Sequence, residues 1–157
     1  MSLAKDLLTL ASAKSLRVAT AESCTGGMVS GAITDIPGSS AIMERGFVTY
    51  TNDAKVEMLG VSPATLEAHG AVSEQVAEEM AQGALNNSLA DIAVSITGIA
   101  GPGGSEFKPE GRVCFGITSR VGSVSETVEF GAIGRKNVRE SARDHALSLL
   151  IKAASQF

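Results

Sequence analysis

Ser23 and Cys24 stand side by side in the stretch Thr20-Ala21-Glu22-Ser23-Cys24-Thr25-Gly26-Gly27. Either could be a nucleophile: the serine if a base takes its proton, the thiol if it ionises. The run Leu16-Arg17-Val18-Ala19 before them reads as a buried strand, and Met28–Ile33 after them as helix. Glycines at such a junction allow a sharp turn and close approach to a ligand. The helix start then offers unpaired N–H groups to an anion or a developing oxyanion, so the backbone of Thr25, Gly26 and Gly27 is the expected donor set. This is the logic of a nucleophile elbow, although the spacing is not G-x-S-x-G. Read bare, such a turn is more often a phosphate cradle or a plain connection than a nucleophile site.

A serine nucleophile needs a base. His69 and His145 are the only histidines; one ends a short helix, the other lies mid-helix, and both suit surface or packing roles. Lys55 is the better partner. With Asn52 as a helix cap, Lys55 falls at the third helical position, where the helix dipole disfavours an ammonium. Partial burial would act in the same direction. Both favour the neutral amine of a Ser-Lys pair; the alternative is a solvated lysine. Tyr50, the only tyrosine, could orient the pair, stack on a planar ring or pack at a rim. Glu22 reads as an acid or as an exposed charge at a strand end.

Two further groups suit an anionic ligand. Gly98-Ile99-Ala100-Gly101-Pro102-Gly103-Gly104 follows an apolar strand, and its backbone can form an anion-binding concavity. It lacks the Gly-Lys-Ser/Thr ending of a P-loop. Arg135 and Arg139 share one face at the start of the last helix, where cations oppose the dipole. A phosphate monoester would suit both guanidinium forks, and solvated arginines are the alternative.

Residues 2–14 read as an amphipathic helix, Leu16–Ala21 as a strand and Thr25–Thr34 as a helix. Residues 35–40 form a turn, and Gly46–Thr51 a second strand. Asn52 caps a helix ending at Gly60, Ser62-Pro63 opens another ending at Gly70, and Ser73 caps a longer one to Asn87. Ile92–Thr97 is a buried strand. Arg112–Arg120 and Ser125–Phe130 form an antiparallel hairpin, and a helix over 135–154 closes the chain. The pattern is α/β: one three-layer α/β/α domain over residues 1–157, with a mixed sheet covered by helices on both faces.

Composition narrows the partners. The 157 residues carry a formal net charge of -4 and no tryptophan. A mildly acidic surface argues against nucleic acid or an anionic membrane. No apolar run reaches the roughly 20 residues of a membrane span. Lys5 and Asp6 interrupt the first leucines, which argues against a secretory signal. The two cysteines, Cys24 and Cys114, do not make a metal motif. They read as reduced thiols, and the expected location is cytoplasmic.

Taken together, residues 20–27, Gly46-Phe47-Val48-Thr49-Tyr50-Thr51-Asn52-Asp53-Ala54-Lys55, His69-Gly70-Ala71-Val72-Ser73 and Ser95-Ile96-Thr97-Gly98-Ile99-Ala100-Gly101-Pro102 form an ordered set of motifs. The set resembles the CinA C-terminal domain family and covers nearly the whole chain. The resemblance implies hydrolysis of the carboxamide of nicotinamide mononucleotide to nicotinate mononucleotide and ammonia. It implies Ser23 as nucleophile, Lys55 as base and Tyr50 beside them, with Cys24, Thr25, Gly26 and Gly27 around the oxyanion. Thr97, Gly98, Gly101, Arg135 and Arg139 would hold the substrate. It further implies no metal, no cofactor and a homo-oligomer, a dimer favoured. Family members often carry a larger N-terminal domain of molybdopterin-binding type, which this sequence lacks. Phe107 stands where a polar residue is common, and the loop around it looks slightly short. A non-catalytic nucleotide-sensing module using the same pocket is the rival reading, and the presence of both Ser23 and Lys55 speaks for the enzyme.

Overall fold

Alternation along one strand explains the layering. In β3, Ile92, Val94 and Ile96 point to one face of the sheet and Ala93, Ser95 and Thr97 to the other. The large side chains join Val29, Ile33, Val138 and Leu150 in one core; Ala93 joins Ala19, Ala21, Val76 and Met80 in a second. A sheet with an apolar set on each face must be covered on both.

The computed structural model describes residues 2–105 and 107–157. In chain order the elements are α1 (Leu3–Ala13), β1 (Val18–Glu22), α2 (Met28–Thr34), β2 (Met43–Val48), α3 (Asn52–Leu59), α4 (Pro63–His69), α5 (Glu74–Asn86), β3 (Ile92–Gly98), β4 (Arg112–Ser119), β5 (Gly122–Glu129) and α6 (Arg135–Ser155). The sheet order is β2-β1-β3-β4-β5. β1 is parallel to β2 and β3, and β4 is antiparallel to β3 and β5. The sheet is therefore mixed and the fold α/β/α. On one face α6 packs against β3 and β4 and against α1 and α2; on the other α5 packs against β1, β3 and β4, with α3 and α4 beside it.

The second face is lined with small residues, so α5 rides close to the strands. Ser95 Oγ donates to the Ala77 carbonyl at 2.5 Å. A Cβ on Gly116 would lie 2.5 Å from the same oxygen. Closeness on this side brings α3, which packs on α5, near the end of β1.

Several boundaries differ from the sequence reading. α2 begins at Met28 rather than Thr25, because Gly26 and Gly27 have φ of 56° and 108°, outside the helical region. β2 covers Met43–Val48 rather than 46–51, so Thr49–Thr51 leave the sheet. β1 starts two residues later than read, and β5 starts at Gly122, with a tighter hairpin than the sequence suggests.

Candidate active site

In open α/β sheets, ligand crevices form beyond the carboxyl ends of parallel strands. Here that place lies beyond β1, between β2 and β3. Ser23 is the first residue past β1; its N–H donates to the Ile96 carbonyl at 2.9 Å, which fixes it against β3. On the other side the Thr49 N–H donates to the Glu22 carbonyl at 2.9 Å. The chain then turns out of the sheet and into α3. The cap of that helix is Thr51, not Asn52: Thr51 is extended and its Oγ1 accepts from the Ala54 N–H at 3.1 Å. Asn52 already has its place in the first turn. Lys55 therefore stands at the fourth helical position, one further from the positive end of the dipole than the sequence reading put it.

Lys55 is 1% exposed, the largest side chain buried so completely. Its Nζ lies 3.2 Å from Ser23 Oγ, 3.2 Å from the Thr49 carbonyl and 3.3 Å from that of Tyr50. No carboxylate pairs with it among the described residues. Burial lowers the Lys55 pKa from its ordinary value, opposed only by the adjacent Cys24. A neutral amine has two hydrogens and one lone pair. Two fixed carbonyls suit the hydrogens, which leaves the lone pair for the Ser23 hydroxyl. The geometry thus fits a base aimed at a serine.

Cys24 is 5% exposed, and burial pushes its thiol up to about 12. The thiol is thereby held in its neutral form, and the residue packs at the wall of the cleft beside Ser23. Glu22 is also fully buried. Its carboxylate turns back onto the start of α2, accepting from the N–H groups of Gly27 (3.2 Å), Val29 (2.9 Å) and Ser30 (3.0 Å) and from Ser30 Oγ (3.0 Å). It is neither a free acid nor an exposed charge. The Gly26 N–H donates to the Ser23 carbonyl at 3.0 Å. The Gly26 and Gly27 amides expected at an oxyanion are therefore engaged. Among the described residues the amides of Cys24 and Thr25 have no acceptor.

Arg135 and Arg139 take different places, Arg139 behind the turn. Arg139 does not line the cleft: Nε donates to the Cys24 carbonyl at 2.9 Å and Nη2 to that of Thr25 at 3.4 Å. One turn earlier on α6, Arg135 does line it, donating to the Gly101 carbonyl at 2.7 Å and to Tyr50 Oη at 3.0 Å. Tyr50, 57% exposed at the rim, meets the Ser-Lys pair through its backbone carbonyl.

Ser23 and Lys55 open into a cleft of about 320 Å³, walled by Thr97–Ser105, Ala71, Val72, Tyr50, Asn52 and Arg135. Thr97 Oγ1 donates to the Ala71 carbonyl at 2.9 Å. Gly98 has no room for a Cβ, which would sit 2.7 Å from the Val113 side chain, and Gly101 (φ 91°) would drive one into Glu110. Both loops are tied together by Lys108, whose Nζ donates to the carbonyls of His69 and Val72. His145 lies elsewhere, paired with Glu126 and 4.6 Å from the Phe115 ring centre. No His/Cys/Asp/Glu group that could hold a metal occurs among the described residues. Sequence reasoning missed Asn52 as a cleft residue and the carbonyls of Thr49 and Tyr50 as partners of Lys55. The signal for Asn52 was Thr51, a capping hydroxyl one residue earlier, which moves Asn52 into the first turn.

Fold and site together define an α/β/α protein with a buried serine-lysine pair at the mouth of a polar cleft. The chain belongs to the CinA C-terminal domain family, whose model matches residues 1–154. It is 52% identical over 151 residues to nicotinamide-nucleotide amidohydrolase PncC of Escherichia coli K12, covering 96% of this chain and 92% of that one. A CinA-like protein of Chlorobaculum tepidum is 55% identical over 130 residues, 82% of this chain but 31% of that protein. The chain thus spans about a third of the length of such longer relatives. Among solved structures, the competence/damage inducible protein CihA from Agrobacterium tumefaciens superposes with a TM-score of 0.93 at 51% identity, covering 96% of this chain and 92% of that one.

Proposed function

We propose that this protein hydrolyses the carboxamide of nicotinamide mononucleotide to nicotinate mononucleotide and ammonia, with Ser23 as nucleophile and Lys55 as base. The observation that carries the chemistry is the buried Lys55 amine 3.2 Å from Ser23 Oγ, with carbonyls in place for its hydrogens. The substrate comes from likeness to the amidohydrolases of Escherichia coli K12 and Enterobacter agglomerans. A binding-only module would gain nothing from burying an amine against a serine.

Ser23 Oγ attacks the carboxamide carbon and passes its proton to Lys55 Nζ. The C=O electron pair moves onto oxygen, and the Cys24 and Thr25 N–H groups receive that oxyanion. When the C–N bond breaks, the Lys55 ammonium returns the proton to the leaving nitrogen and ammonia departs. Water then adds to the Ser23 ester, Lys55 taking its proton; collapse releases the carboxylic acid product and restores the serine hydroxyl. Arg135 would exchange the Gly101 carbonyl and the Tyr50 hydroxyl for the substrate phosphate. The reading needs no metal or cofactor. It carries a cytoplasmic location, no nucleic-acid partner and a homo-oligomer, a dimer first, which light scattering in solution checks. No helix among the described residues is long and apolar enough to cross a membrane.

Ammonia release from nicotinamide mononucleotide tests the proposal. The wild-type protein should release it and Ser23→Ala should not. Release by both, or by neither, contradicts the reading.

A further inference from the structure

Two charged side chains grip the turn after Ser23, one by its amides and one by its carbonyls, and neither enters the reaction above. Glu22, fully buried, holds the N–H groups of Gly27, Val29 and Ser30 and the Ser30 hydroxyl. Arg139 reaches from α6 and holds the carbonyls of Cys24 and Thr25. In a trans peptide the N–H points opposite to the C=O. With the Cys24 carbonyl turned to Arg139, the Thr25 N–H must point away from α6. With the Ser23 carbonyl held by the Gly26 N–H at 3.0 Å, the Cys24 N–H must point away from the inside of the turn. Glu22 meanwhile keeps the three amides at the start of α2 from rotating into their place. A guanidinium against the Cys24 carbonyl also polarises that peptide and makes the Thr25 N–H a stronger donor.

We propose that Glu22 and Arg139 are positioning residues that set the peptide planes of this turn and so present the Cys24 and Thr25 amides to the oxyanion. The inference rests on the serine amidase reading. It gives Arg139 a role in the turnover step rather than in phosphate binding.

Kinetics of Arg139→Met, Arg139→Lys and Glu22→Gln on nicotinamide mononucleotide test it, with substrate affinity measured in a Ser23→Ala background. A misoriented oxyanion donor costs the transition state and not the ground state, so kcat should fall by about 10- to 100-fold in Arg139→Met and Glu22→Gln. KM and affinity should stay within about twofold. Arg139→Lys keeps the charge without the fork and should regain part of the loss. If Glu22→Gln does not fold, Ser30→Ala removes one donor from the carboxylate and should show a smaller drop in kcat at unchanged KM. The inference is overturned by folded variants with normal kcat. A raised KM for the mononucleotide, with unchanged kcat and no effect on nicotinamide riboside, overturns it in favour of phosphate binding by Arg139. Failure of the amidase reading is distinguished by the wild type releasing no ammonia. The labelling rate of Ser23 by a fluorophosphonate, whose phosphoryl oxygen needs the same donors, then carries the test: Arg139→Met should slow it by a similar factor, and an unchanged rate overturns the clamp.

Discussion

In the proposed mechanism, Lys55 is where burial becomes chemistry. An exposed lysine, with an ordinary pKa of 10.5, is protonated at neutral pH and useless as a base. Removed from water with no carboxylate beside it among the described residues, it titrates lower. Activity should therefore rise with pH through the depressed value and level off above it, measured as kcat against pH. The sign for stability follows from linkage. Between the folded and unfolded pKa values the unfolded chain binds more protons, so stability rises with pH there; below the folded value the cost is full. Denaturation midpoints of wild type and Lys55→Met should show the wild type gaining on the variant as pH climbs through that window. A difference that is flat with pH contradicts a depressed Lys55. Cys24 shows the same physics with the opposite outcome, since burial holds a thiol in its neutral form.

At the scale of elements, the site is a meeting of β1, which carries Ser23, and α3, which carries Lys55. Their separation depends on how α3 is seated on α5. Gly83 of α5 touches the end of α3: a Cβ there would lie 2.0 Å from the Leu59 carbonyl oxygen. Gly83→Ala should push α3 outward and Lys55 with it, costing roughly 1–3 kcal/mol of stability as overpacking does. Urea denaturation and turnover should fall together; a variant as stable and active as wild type contradicts this seating. The strands and helices were legible because period 2 and period 3.6 alternate cleanly along the chain. Ser23 was legible from its glycine-rich turn after an apolar run, and Lys55 from its place near a capping polar residue. What was not legible depends on register across the sheet. The parallel pairing of Glu22 with Val48 ends β2 early and turns the Thr49 and Tyr50 carbonyls onto Lys55. Whether a strand-end Glu22 faces solvent or the start of the next helix likewise depends on which face of β1 it occupies. Arg135 and Arg139 look alike in sequence; one helical turn separates a cleft residue from one that braces a backbone.

For the whole molecule, the mixed sheet divides the labour. The parallel half, β2-β1-β3, gathers Ser23, Lys55 and the Gly98–Gly104 loop at its carboxyl ends, while α6 spans the other face and brings Arg135 to the rim. In the proposed reaction, phosphate recognition is thereby separated from the bond that breaks. Arg135→Ala should weaken binding of nicotinamide mononucleotide by about one to two decades, the loss of one charge-assisted contact. Nicotinamide riboside, without the phosphate, should be little affected; equal weakening of both ligands by calorimetry contradicts the assignment. The proposed covalent step at Ser23 leaves a mass. Acid quenching during turnover of nicotinamide mononucleotide, followed by peptide mass spectrometry, should find the nicotinate mononucleotide acyl group on Ser23. No adduct should form in Ser23→Ala. An adduct on Cys24, or ammonia release that persists in Ser23→Ala, would contradict the account.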